Sequence, residues 1–208
     1  MADNAGTTRL ESYYKLHAAI YDLSRWSFLF GRKEAIKGLP MLIKYPNEIL
    51  EIGCGTGSNL SCLTKMYPMA NFTGIDLSSE MLEKAARKKP IQNFKVNLIQ
   101  ANYLDFTADC KYDIIFLSYS LTMMGQYKSG VIDKAIEDLN EGGVLGIVDF
   151  NSSHFGWFKK WMQYNHVEMK NLVDHELLST LEIEKRSLKN AYFGLWKYFI
   201  FFGRKLPN

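Results

Sequence analysis

The chain has 208 residues, 47% apolar and 23% charged, and its 25 Lys and Arg against 22 Asp and Glu leave a net charge of +3. These proportions exclude a disordered chain, the length suits one domain over residues 1–208, and the small charge excludes an evident nucleic-acid binder. Three cysteines at 54, 62 and 110 cannot all pair and lack metal-ligand spacing, so a reduced, cytoplasmic setting and no metal are expected.

Residues 1–8 are small and polar and read as disordered. From Arg9 to about Gly38 the pattern is helical, and Pro40 and Pro46 end that region. Strands are then predicted at Glu48–Gly53, Phe72–Asp76, Val96–Ala101, Tyr112–Ser118 and Gly143–Phe150. Helices fall between them at Asn59–Met66, Ser79–Lys88 and Val131–Leu139. Apolar strands alternating with amphipathic helices predict an α/β, mostly parallel sheet covered on both faces. Residues 154–178 then read as helical. Leu181–Asn190 and Leu195–Arg204 read as a terminal hairpin around Tyr192-Phe193-Gly194.

The 13 Phe, 12 Tyr and 4 Trp are unevenly spread, with only 10 of them in residues 48–150. The two flanks, 1–47 and 151–208, hold the rest and all four tryptophans. The most apolar tract, Tyr198–Phe202, is far shorter than the ~20 residues of a spanning helix, and the N-terminus lacks a signal-peptide pattern.

The sharpest motif is LEIGCGTGSNL, residues 50–60. A buried strand runs into Gly53, Gly55 and Gly57, whose lack of Cβ permits a tight turn and lets a ligand lie on the backbone. A dinucleotide fingerprint has a sixth-position glycine where Ser58 stands here, which disfavours a dehydrogenase. Glu51 before the loop suits a cationic ligand end. Asp76, ending the second strand, stands where a carboxylate grips both hydroxyls of a ribose.

This loop, with GIDLSSEML at 74–82, YDIIFLSYSL at 112–121 and LNEGGVLGIVDF at 139–150, resembles the class I S-adenosylmethionine-dependent methyltransferases. The resemblance implies a Rossmann-like, seven-stranded sheet with an antiparallel last strand and an N-terminal helical lid. It implies that Gly53, Gly55 and Gly57 pass under the methionine and ribose of S-adenosyl-L-methionine. By the same likeness Glu51 orients the ammonium, Asp76 holds the ribose, and Leu77 packs on the adenine. Asn102 takes the place of an aspartate that accepts from the adenine amine, Ser118 faces the sulfonium, and Tyr14 joins the cofactor residues.

The acceptor is a separate question. Enzymes that methylate base or amide nitrogens carry an acid or Asn followed by Pro-Pro-aromatic after the fourth strand, and Leu117-Ser118-Tyr119-Ser120 lacks it. The flanks 13–36, 148–169 and 194–205 resemble the bacterial betaine-lipid N-methyltransferases and, more loosely, the phosphatidylethanolamine N-methyltransferases. That resemblance implies a lipid-headgroup amine as acceptor, with a small soluble acceptor as the alternative. Aromatic faces attract an ammonium by ~0.5–2 kcal/mol each, and Tyr13, Tyr14, Tyr21 and Tyr119 are candidates. His166, Asp149 and a tyrosine hydroxyl are candidate proton acceptors, and loss of the proton to water needs none of them. Cations interleaved with Trp, Phe and Leu at 9–37 and 155–161 have the composition of interfacial helices that meet anionic membranes. A catalytically silent cofactor-binding partner protein is the non-enzyme alternative.

Overall fold

The computed structural model describes residues 29–169 and 180–207. The expected helix over Arg9–Gly38 is therefore described only from residue 29, and that over 154–178 only to residue 169. Tyr13, Tyr14 and Tyr21 lie outside the described residues, as does most of the expected N-terminal lid.

The helices are α1 (Arg32–Gly38), α2 (Leu60–Met66), α3 (Ser79–Ala86), α4 (Lys89–Gln92), α5 (Lys128–Asp138) and α6 (Gly156–Tyr164). The strands are β1 (Glu48–Ile52), β2 (Asn71–Asp76), β3 (Val96–Gln100), β4 (Tyr112–Ser118), β5 (Leu139–Ser152), β6 (Leu181–Ala191) and β7 (Trp196–Lys205). Among the described residues these strands form one sheet in the order β3-β2-β1-β4-β5-β7-β6. The first five are parallel, and β7 runs antiparallel to both β5 and β6.

Period-two side chains build two cores. Ile49, Phe72, Ile114, Phe116, Ile200 and Phe202 face one way, where α1 and α2 add Ile36, Leu60 and Leu63. Leu50, Ile75, Ile115, Leu117, Phe199 and Phe201 face the other, against Val131, Ile132 and Ala135 of α5. Each fully buried side chain of this size contributes ~1.5–3 kcal/mol.

Two sequence expectations change. The helix expected at 79–88 ends at Ala86, and after the extended Lys88 a separate short helix begins at Lys89 with Pro90 in its first turn, where a missing N–H costs nothing. The fifth strand starts earlier, at Leu139, where it pairs with Tyr112 before a register shift. The aromatic excess of 151–208 is in large part core: Trp196, Tyr198, Phe199, Phe201 and Phe202 are buried, because β7 lies between β5 and β6. The edge strand β6 is charged and mostly exposed, which discourages pairing with another sheet.

Candidate active site

The carboxyl ends of β1, β2 and β4 converge. After Ile52 the chain turns through Gly53, Gly55 and Gly57, all left-handed at φ of 71°, 53° and 69°. The backbone amides of Gly53 and Cys54 donate to Ile75 O at 2.8 and 3.0 Å, which ties the loop to β2. Side chains are excluded by space as well as by φ. A Cβ on Gly53 would stand 2.6 Å from Ser120 Cβ, and one on Gly57 2.9 Å from Ala85 Cβ.

Asp76 joins loop and strand end. Its Oδ2 accepts from Gly55 N at 2.7 Å and its Oδ1 from Ser78 N at 3.0 Å. Ser78 caps α3 by accepting from Met81 N. Leu77, between them, is 38% exposed at the strand end. Glu51 is buried, and its Oε1 accepts from Asn59 Nδ2 at 2.7 Å. Asn102 caps the turn at Tyr103–Asp105: its Oδ1 accepts from Leu104 N, and its Nδ2 donates to Asp105 at 3.0 Å.

At the end of β4, Ser118 is buried, and its Oγ has no hydrogen-bond partner among the described residues. Tyr119 follows at φ 55°, in the left-handed region that disfavours a bulky side chain. Its amide donates to Val148 O at 2.8 Å, and its hydroxyl donates to Phe30 O at 2.7 Å. Its ring meets Phe150 edge-on, with centroids 4.6 Å apart. Burial pushes the Tyr119 hydroxyl well above the usual phenol range. Asp149 is fully buried, and desolvation pushes its carboxyl up to about 6. It accepts from Thr122 Oγ1 at 2.6 Å, from Thr122 N and from Phe150 N. Thr122 O in turn accepts from Glu168 N at 3.0 Å, so Asp149 holds the loop after β4 against the segment after α6.

The structure thus brings Glu51, the three glycines, Asp76, Leu77, Ser118 and Tyr119 to one end of the sheet. His166 is exposed, at φ 61° beyond α6. Asn59, Ser120, Thr122 and Phe150 escape sequence reading. Asn59 stands at a helix cap and signals only that. The others act through partners far along the chain. Among the described residues no group of three His, Cys, Asp or Glu is placed to hold a metal.

A family model described as a methyltransferase domain matches residues 45–194. Trans-aconitate 2-methyltransferase of Rhodopseudomonas palustris (strain BisA53) is 29% identical over 102 residues, 49% of this chain and 38% of that protein. Malonyl-[acyl-carrier protein] O-methyltransferase of Priestia megaterium is 32% identical over 122 residues, 59% of this chain and 43% of that protein. The chain thus spans less than half the length of these curated relatives. The N-methyltransferase NodS of Bradyrhizobium japonicum WM9, solved with S-adenosyl-L-homocysteine, shares the fold. Its TM-score is 0.69 at 18% identity, over 85% of this chain and 87% of that one.

Proposed function

This chain belongs to the methyltransferase domain family, and on that premise we propose that it moves a methyl group from S-adenosyl-L-methionine to the amine of a lipid headgroup. The residues present fit the cofactor. The left-handed glycines clear a cradle that a Cβ would fill, and Asp76 is held in place by Gly55 and Ser78. Glu51, fixed by Asn59, lies below the loop to orient an ammonium. Leu77 offers an apolar face to a base, and Ser118 Oγ is a buried polar atom at the reacting end.

When bound, S-adenosyl-L-methionine supplies an electrophilic methyl whose C–S bond breaks as the new N–C bond forms, leaving a neutral thioether. The chain supplies alignment and a dry surrounding. The rings of Tyr119 and Phe150, packed edge-on and buried, lie beside the end of β4, where an aromatic ring attracts a developing positive charge. Tyr119 does not act as base, because its hydroxyl donates to Phe30 O. Asp149 is engaged by Thr122 and Phe150 and holds the loop. With Tyr119 and Asp149 so engaged, loss of the amine proton to water before the acceptor enters asks for no base from either.

One observation carries the lipid reading. A row of rings runs from Tyr119 through Phe150, Trp196 and Phe158 to the exposed tryptophans of α6. Phe150, Trp196 and Phe158 are buried, so this packing is no path for a substrate; it fixes the exposed rings of α6 relative to the reacting end, where an aminolipid held at the surface would meet them. The names of the two curated relatives favour a second reading, a small acid or a carrier-bound acid as acceptor. Purified protein with methyl-labelled cofactor should label aminolipids in vesicles and leave trans-aconitate unlabelled. Label on the acid and none on lipid would reverse the assignment.

A further inference from the structure

We infer that the outer face of α6 and the β6–β7 hairpin tip form one docking surface for the interfacial layer of an anionic phospholipid bilayer. The inference deepens the lipid-headgroup reading and rests on it for its purpose, while the surface itself is argued from exposure, ring contacts and charge.

Trp157, Trp161 and Tyr164 lie at i, i+4 and i+7 of α6, so they share one face. All three are exposed, Trp157 by 64%. Phe158 and Met162 point the other way and are buried. Phe193, at the hairpin tip, is fully exposed in a left-handed conformation that turns it outward from the strands. The two segments are rigidly joined. The Phe158 ring stacks on Trp196 at the hairpin root, centroids 5.4 Å apart and 9° from parallel. Ser153 Oγ donates to Leu195 O at 2.6 Å. Tyr192 packs on Trp196 at 4.9 Å.

Exposed aromatic rings of this number on fixed backbone mark an interaction surface. Their chemistry selects the occupant. Trp and Tyr favour the boundary between headgroups and acyl chains, where ring and polar edge are both satisfied. Lys159, Lys160 and Lys197 flank the rings, and neither 153–167 nor 189–197 contains an acidic residue. Such a face complements anionic headgroups. β7 runs antiparallel to β5, so the hairpin tip lies at the same sheet end as Gly53, Asp76 and Tyr119. A bilayer seated there faces the reacting end.

The test is co-sedimentation of the full chain with vesicles of phosphatidylglycerol in phosphatidylcholine, against phosphatidylcholine alone. Wild type should bind the anionic vesicles at least about tenfold more tightly, and added salt should weaken it. Phe193→Ser and Trp157→Ser should each lower binding by about tenfold while leaving S-adenosyl-L-homocysteine affinity unchanged. Brominated lipid should quench the tryptophan emission of the unaltered protein, a readout that needs no variant. Failure of wild type to bind, equal binding by the variants, or absence of quenching overturns the surface. Self-association abolished by Phe193→Ser, without vesicle binding, assigns the face to a second copy and also overturns it. Vesicle binding without methylation of any aminolipid supports the surface and overturns only the acceptor reading.

Discussion

The carboxylate of Asp76 accepts the backbone N–H of Gly55 at 2.7 Å, joining the end of β2 to the middle of the glycine loop. The residue proposed to hold the ribose thereby also sets the loop on which the cofactor rests. Asp76→Ala removes this bond and the one from Ser78 N. It also removes the bonds that Asp76 would make to the two ribose hydroxyls; at ~1.5–3 kcal/mol for each bond to a charged group, S-adenosyl-L-homocysteine affinity should fall by about a hundredfold or more. Titration calorimetry reads this directly. Retention of affinity within a few-fold would remove Asp76 from the site.

Gly53→Ala should destabilise the whole fold. Its φ of 71° disfavours any Cβ, and the added atom would meet Ser120 Cβ at 2.6 Å. The two effects together cost about 2–5 kcal/mol. Urea unfolding should show a lowered midpoint with an unchanged slope.

Asp149 makes stability depend on pH with a definite sign. Burial raises its carboxyl from 3.8 to about 6. The native chain therefore keeps a proton that the unfolded chain releases between those values. This contribution is full below about pH 4 and is lost as pH rises through 6, a difference of about 3 kcal/mol. Asp149→Asn cannot titrate there. Relative to that variant, wild type should lose stability between pH 4 and 7 in urea melts. A wild-type gain over that interval would contradict the buried, desolvated carboxyl.

Tyr119 separates an aromatic role from a basic one. Tyr119→Phe loses the bond to Phe30 O, worth ~1 kcal/mol of stability, and keeps the ring against Phe150. Methyl transfer should slow by less than about tenfold. A general base removed at this position would cost about 10²–10⁴-fold in rate. Single-turnover rates on the two proteins distinguish these outcomes.

The sheet was legible in the sequence because buried parallel strands leave continuous apolar runs such as Tyr112–Ser118, and these match the observed bounds. The glycine loop was legible because positive φ and close approach leave few alternatives to glycine. Other features were not. Glu51 meets Asn59 across a turn, Ser120 fills the space under Gly53, and Asp149 meets Thr122 across two strand ends. Such pairs arise from strand order, which local patterning does not encode. The rings of β7 show a further limit. A strand buried on both faces has the same composition as an interfacial segment, so Tyr198–Phe202 reads alike in either role until its neighbours are known. Trp157 and Phe193, by contrast, are exposed.

Methyl transfer from the Asp76 site to a lipid amine, as proposed, changes the masses of the host's lipids. Mass spectrometry of host lipids, with and without this protein and with Asp76→Ala as control, tests it most directly. Aminolipids carrying one, two or three added methyl groups are expected only when the unaltered protein is present. An unchanged aminolipid profile, with added methyl groups found instead on soluble metabolites, would contradict it.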